Sequence, residues 1–179
     1  TGHIQGLSAK ADSSGIWKNN MFILGTVGEK RRLEGFTLHL DGAPSDMLLV
    51  YRAHIQTDGD KPDEEDDGDT ICKDNLGKLW QKEGQYLGTK GDKKRVEGIE
   101  LKLINKNTSK KYEGYKILYQ VHMQEYGWGI NDIKNDLKDD RKLNDSCDKW
   151  AENGDFAGTK GQQRRIEAIC IKILTEQIR

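Results

Sequence analysis

One pattern occurs three times in this chain, and that repetition constrains the fold more than any other feature. Trp17–Leu40 reads WKNNMFILGTVGEKRRLEGFTLHL, Trp80–Leu103 reads WQKEGQYLGTKGDKKRVEGIELKL, and Trp150–Leu174 reads WAENGDFAGTKGQQRRIEAICIKIL. Each copy sets a Trp eight positions before a Gly-Thr pair, at Gly25, Gly88 and Gly158. A second glycine follows at Gly28, Gly91 and Gly161. An Arg-x-Glu triplet comes next, at Arg32 and Glu34, Arg95 and Glu97, and Arg165 and Glu167. An alternating apolar run closes each unit. No such unit buries its apolar face alone, so copies must share a core.

The runs carry the period of two that marks strands. Glu34, Phe36, Leu38 and Leu40 share one face, and so do Glu97, Ile99, Leu101 and Leu103. A further strand, Leu48–Gln56 (LLVYRAHIQ), precedes the second copy, and Tyr115–Gln124 (YKILYQVHMQ) precedes the third. In the latter, Tyr115, Ile117, Tyr119, Val121 and Met123 share one face, and Lys116, Leu118, Gln120, His122 and Gln124 take the other. The first copy keeps only the end of that strand, His3-Ile4-Gln5, and Gly6 to Gly15 reads as a loop. The glycine pairs predict tight turns with φ > 0. The expectation is an all-β single domain over 1–179, a pseudo-threefold β-prism of three sheets, with a β-trefoil as the alternative. Its three repeats cover about 1–42, 43–106 and 107–179.

Polar inserts at 57–78 and 129–148 interrupt the symmetry. They hold much of the charge that takes Asp, Glu, Lys and Arg to 33% of the chain. Both read as surface elaborations, and Ile130, Ile133 and Leu137 predict a helical turn in the second. With 29 basic against 30 acidic residues, no global positive field exists for duplex binding, so nucleic acid is not an expected partner. Membrane insertion is not expected either, because no apolar run approaches about 18 residues. The chain begins at Thr1, so an absent leader says nothing about location. Cys170 falls in a strand and reads as a small hydrophobe. Cys72 and Cys147 each precede a repeat Trp in an insert, and a disulfide between them stays open.

The run Gly127-Trp128, Trp150, Gly154, Ala157-Gly158-Thr159, Gly161 and Arg165-Ile166-Glu167-Ala168-Ile169 resembles the ChW family, the clostridial hydrophobic repeat with a characteristic Trp. So does Leu40-Asp41-Gly42-Ala43-Pro44 leading into Tyr51-Arg52-Ala53-His54-Ile55-Gln56. The resemblance covers most of the chain outside the inserts. It implies an extracellular module of Gram-positive bacteria, secreted or at the cell surface. The implied role is adhesion or ligand binding, to glycan or protein, without catalytic activity. Here the Gly-Trp pair occurs only in the third copy, and the inserts are longer than the family needs.

Candidate ligand contacts are aromatic. Trp17, Trp80 and Trp150 stand at one fixed position per repeat, which favours packing, with ligand stacking as the alternative. Trp128 is unique to one copy, lies between two glycines and has Tyr126 nearby, so it leads as a binding residue. The Arg-x-Glu pairs read as structural ion pairs. Three equivalent glutamates do not supply the unlike carboxyls of a glycosidase. Three histidines, His3, His54 and His122, share a strand face with polar residues and are not expected to hold a metal. No cofactor is expected, with calcium as the one exception considered. Asp63, Glu65 and Asp67 open an acidic run with Gly68 at the sixth place of an EF-hand-like loop, but Asp74 stands where a Glu belongs. A solvated acidic loop is the default there. Basic residues beside the turns, such as Lys90, Lys160 and Arg164, suit an anionic polymer or simply balance nearby acids. The functional expectation is therefore a binding module for a glycan or cell-wall polymer. A module that binds a host or surface protein through its inserts is the alternative.

Overall fold

A computed structural model of the protein describes the backbone of residues 2–10 and residues 21–64, 68–129 and 150–176. Trp17, Glu65, Asp67, Cys147 and the helical turn expected after Gly129 lie outside the described residues.

All described regular structure is β, as expected. The strands are β1 (Gly2–Lys10), β2 (Met21–Gly25), β3 (Leu33–Asp41), β4 (Met47–Ile55), β5 (Gly59–Lys61), β6 (Ile71–Lys73) and β7 (Leu79–Lys82). They continue with β8 (Leu87–Gly88), β9 (Val96–Asn105), β10 (Tyr115–Met123), β11 (Gly127–Gly129), β12 (Ala151–Glu152), β13 (Ala157–Gly158) and β14 (Ile166–Thr175). Three sheets result. One runs β1-β3-β8, a second β11-β10-β14-β2 with β12 on β10, and the third β13-β9-β4-β7-β6 with β5 on β4.

The long hairpins follow directly from the alternation. β4 pairs antiparallel with β9, and β10 with β14, each along nearly its whole length. β3 has no such partner. β1 lies beside it instead, parallel and with two register shifts. β1 also extends to Lys10, through the first half of the stretch expected to be a loop. Insert one differs from expectation as well. It supplies β5 and β6, which lengthen the third sheet rather than hanging off it.

The Gly-Thr segments join the sheets in cyclic order. β8 of the second copy pairs with β3 of the first, β13 of the third with β9 of the second, and β2 of the first with β14 of the third. At each seam a threonine N–H donates to the glutamate carbonyl of the Arg-x-Glu strand. These bonds are Thr89 to Glu34 at 2.9 Å, Thr159 to Glu97 at 2.8 Å and Thr26 to Glu167 at 3.1 Å. Glycine is required here by close approach. A Cβ on Gly88 or Gly158 would lie 2.4 Å from the carbonyl oxygen of Glu34 or Glu97, and one on Gly25 only 2.2 Å from that of Glu167.

One apolar cluster joins side chains of all three copies, among them Phe36, Leu38, Tyr51, Leu101, Tyr119, Val121 and Ile171. The alternating faces read from sequence are the faces that build it. Tyr51 and Tyr119 hold equivalent places and donate their phenols to the carbonyls of Gln85 and Asp155. Burial pushes the Tyr51 hydroxyl up to about 12, so both phenols remain donors.

Candidate functional site

The repeat tryptophans are packed, not presented. Trp80 is 1% exposed and covers Val50 and Ile104 on the outer face of the third sheet. Trp150 covers Leu118, Ala168 and Cys170 in the equivalent place on the second. Their use as open stacking faces is therefore corrected: neither ring has a free face to offer. Asp74, the last acid of the EF-hand-like run, locks Trp80. Its Oδ2 accepts the indole N–H at 3.1 Å and the Lys102 ammonium at 2.8 Å. Its Oδ1 accepts the N–H groups of Leu76 and Lys78. Burial alone would raise this carboxyl, but those four donors outweigh it and hold it below the usual carboxylate range.

Trp128 and Tyr126 do come together, in a way the sequence did not show. Both line one small, partly open pocket, with Val121, Met123, Gly127, Gly129, Gly158 and Thr159. The rings are pocket walls and not exposed platforms, since Trp128 is 6% and Tyr126 9% exposed. That corrects the expectation that glycine neighbours would lay the Trp128 ring open. The placement has a local cause. β11 folds back on β10 and sets Trp128 opposite His122. Glu125, at φ 70°, makes the tight reversal. The two rings meet edge to face at 5.4 Å, and the Arg164 guanidinium lies 3.8 Å over Tyr126. Arg164 also pairs with Glu125 at 2.8 Å, which fixes that cover.

His122 backs the pocket from behind Trp128. Its Nδ1 lies 3.3 Å from the Glu167 carboxylate but is not aligned for a hydrogen bond. Burial lowers its basicity, the Glu167 charge opposes that, and burial prevails. The Arg-x-Glu pairs are structural ion pairs, at 2.7 Å for Arg32–Glu34, 2.8 Å for Arg95–Glu97 and 3.0 Å for Arg165–Glu167. All three carboxylates are buried.

The other expected groups are otherwise engaged. Asp63 pairs with Lys61 at 2.6 Å, and Asp74 serves Trp80, so two acids of the EF-hand-like run are already committed. His54 pairs with Asp60. No cluster of three metal-ligating residues occurs among the described residues. The basic cluster is largely compensated too: Lys94 reaches Asp58, Lys160 reaches Asp60, and Lys90 lies over Tyr86. Cys170 is buried in its strand, and Cys72 is half-buried, with burial raising its pKa. Thr159 and Met123 were missed as site residues. The Gly-Thr repeat reads as a turn, and only its pairing across the seam brings Thr159 against β11.

No helix among the described residues is long and apolar enough to cross a membrane. Neither a search among curated proteins nor one among solved structures gave a match. The family model described as Clostridial hydrophobic W matches residues 74–105 and 122–175, segments of the second and third copies. Those segments contain Trp80, Trp150, the last two Gly-Thr pairs and every lining residue of the Trp128 pocket but Val121. These two segments belong to the Clostridial hydrophobic W (ChW) family.

Proposed function

We propose that this chain is a non-enzymatic binding module that recognises glycan outside the cell or on its surface. The observation that carries the reading is the third-copy pocket, where Tyr126, Trp128 and Met123 form apolar walls around a small opening. Concave sites with aromatic walls and few polar groups suit small ligand moieties. The ion pairs and the packed repeat tryptophans belong to the scaffold, which frees this one asymmetric feature for recognition.

A glycan array with soluble protein, run in calcium and in EDTA, tests the proposal. Selective binding unaffected by EDTA is the expected result. A blank array under both conditions contradicts it. Loss of binding in EDTA would shift the site to the acidic insert.

One observation favours the second reading, a module that binds a host or surface protein. Leu76, at the tip of insert one, is 82% exposed, where Asp74 holds the turn from inside. A large exposed apolar side chain on a fixed turn suits a protein contact. Pull-down with Leu76→Asp protein separates the readings, because the glycan site would be untouched.

A further inference from the structure

Every backbone N–H from Asp74 to Lys78 is bonded. Asp74 N–H donates to the Lys78 carbonyl at 3.0 Å, Asn75 N–H to the Ser109 carbonyl at 3.0 Å and Gly77 N–H to the Asp74 carbonyl at 2.9 Å. The Leu76 and Lys78 N–H groups donate to Asp74 Oδ1 at 2.9 Å and 3.0 Å. On this fixed turn Leu76 is 82% exposed. An exposed leucine on a pliant loop says little. Here the chain holds it out, so the turn loses little freedom when a partner takes it.

Around the tip the charge is of one sign. The turn and the loop bonded to it, residues 73–78 and 105–111, hold Lys73, Lys78, Lys106, Lys110 and Lys111 against one acid, Asp74. Asp74 is buried and already answers Lys102. Lys78 pairs with Glu100 and Lys111 with Glu176, whereas Lys73 and Lys110 are exposed and have no acid partner among the described residues. Asp46 accepts the Lys106 N–H on its carbonyl, and its carboxylate is taken by Asn105 and Tyr112. Asp69 stands at the other end of β6, where the Thr70 carbonyl accepts from Lys82. The whole chain carries a formal charge of only −1, so this lysine collar is a local feature.

We infer that the 74–78 turn docks on a bilayer with anionic headgroups. Leu76 enters the interfacial layer, and Lys73, Lys78, Lys106 and Lys110 meet the headgroup phosphates. A protein would have to supply a pocket cut to this one tip. A bilayer takes an apolar tip at any point and surrounds it with negative charge. The contact lies on the membrane surface and needs no spanning segment. It goes beyond the glycan reading and does not rest on it.

Cosedimentation of the full chain with vesicles tests this, using phosphatidylcholine alone and phosphatidylcholine with about one third phosphatidylglycerol. Binding should be at least about tenfold tighter to the anionic vesicles and should fall as salt rises. Leu76→Ser, which changes no charge, should weaken it about tenfold. Lys73→Glu with Lys110→Glu should weaken it by at least about tenfold. All these positions are exposed, so the melting temperatures should match that of the unaltered chain. Equal binding to both vesicles, undiminished binding by Leu76→Ser, or no binding to either vesicle overturns the inference. A glycan array with the Leu76→Ser protein keeps the two readings apart, because sugar binding at the Trp128 pocket should be unchanged.

Discussion

Asp60 and Trp128 occupy the same place in two hairpins of one design. β5 folds back on β4 and sets Asp60 opposite His54, while β11 folds back on β10 and sets Trp128 opposite His122. The reversals match, with Thr57 at φ 68° and Glu125 at φ 70°. Across both, the glutamine of His-x-Gln bonds alike: Gln56 N–H donates to the Arg95 carbonyl and Gln124 N–H to that of Arg165. Chemistry then diverges. Asp60 takes a hydrogen bond from His54 and another from Lys160. Trp128 meets His122 edge to face, belongs to the apolar cluster of Leu118, Trp150, Ala168 and Cys170, and has a small apolar pocket beside it. A repeated backbone is thus a neutral frame. One side chain per hairpin decides whether the frame is tied shut by charge or left as an apolar pocket.

Truncating the pocket wall should give the largest effect. Trp128→Ala should cost about 3–5 kcal/mol of stability by denaturant titration, as for other buried aromatics. Asp60→Ala, at the matching place, should cost about 1 kcal/mol or less because its partners are half-exposed. Similar losses at the two sites would erase the comparison.

The seam that delivers Thr159 comes next. Gly158→Ala combines a left-handed φ of 131° with a clash on the Glu97 carbonyl, and should cost about 2–4 kcal/mol. Gly161→Ala has φ 69° but open space, so only about 1–2 kcal/mol is expected.

A third test exploits a substitution already present in the chain. Tyr86 packs on Gly35 and Phe156 on Gly98, where a Cβ would fall 2.1 Å from the Tyr86 hydroxyl oxygen and 2.0 Å from the Phe156 ring. At the third seam the matching residue is Ala168, and it faces β2, where Ile23 takes the aromatic's place. Gly98→Ala alone should cost about 1–3 kcal/mol. Adding Phe156→Ile should recover about 1 kcal/mol in a double-mutant cycle, since it rebuilds the Ala168 seam.

Smaller effects come from titration. Burial would raise the Asp60 carboxyl, but the hydrogen bonds from Lys160 and His54 outweigh it and hold it below 3.8. Its folded value is depressed, so its contribution is present above pH 3.8 and is lost as pH falls through the folded value. Asp60→Asn should flatten that part of an acid-unfolding curve, by about 0.5–1 kcal/mol at low salt. His122 is also depressed, from 6.5. The unfolded chain therefore takes up its proton first, and stability should decline as pH drops from about 6.5 toward the folded value. His122→Gln should remove the slope in that window.

Much of the frame was legible in the sequence. Three Trp…Gly-Thr…Arg-x-Glu copies foretold the strands, and alternation in Leu33–Asp41 and Tyr115–Met123 foretold which faces are buried. Packing as the role of Trp80 and Trp150 was legible too, because a ring repeated at one position fills one kind of hole. The cyclic seams were not, since a Gly-Thr pair read locally is a turn and its partner lies in another copy. The pocket was half legible. Trp128 and Tyr126 stood out as unrepeated aromatics, but their burial depends on β11 closing over β10 and on Arg164 stacking from outside. Thr159 was hidden because it is identical to Thr26 and Thr89 in sequence and differs only in what surrounds it. Asp74 was hidden by its acidic neighbours, which made it look like one more solvated charge.

The most direct test of the account is an NMR titration of isotope-labelled protein with a glycan selected on the array, following the indole N–H signals of Trp128 and Trp80 and the amide of Thr159. Recognition in the third-copy pocket predicts saturable shifts at Trp128 and Thr159, with Trp80 unmoved. Shifts centred on Trp80 or Leu76, or none at saturating sugar, would contradict it.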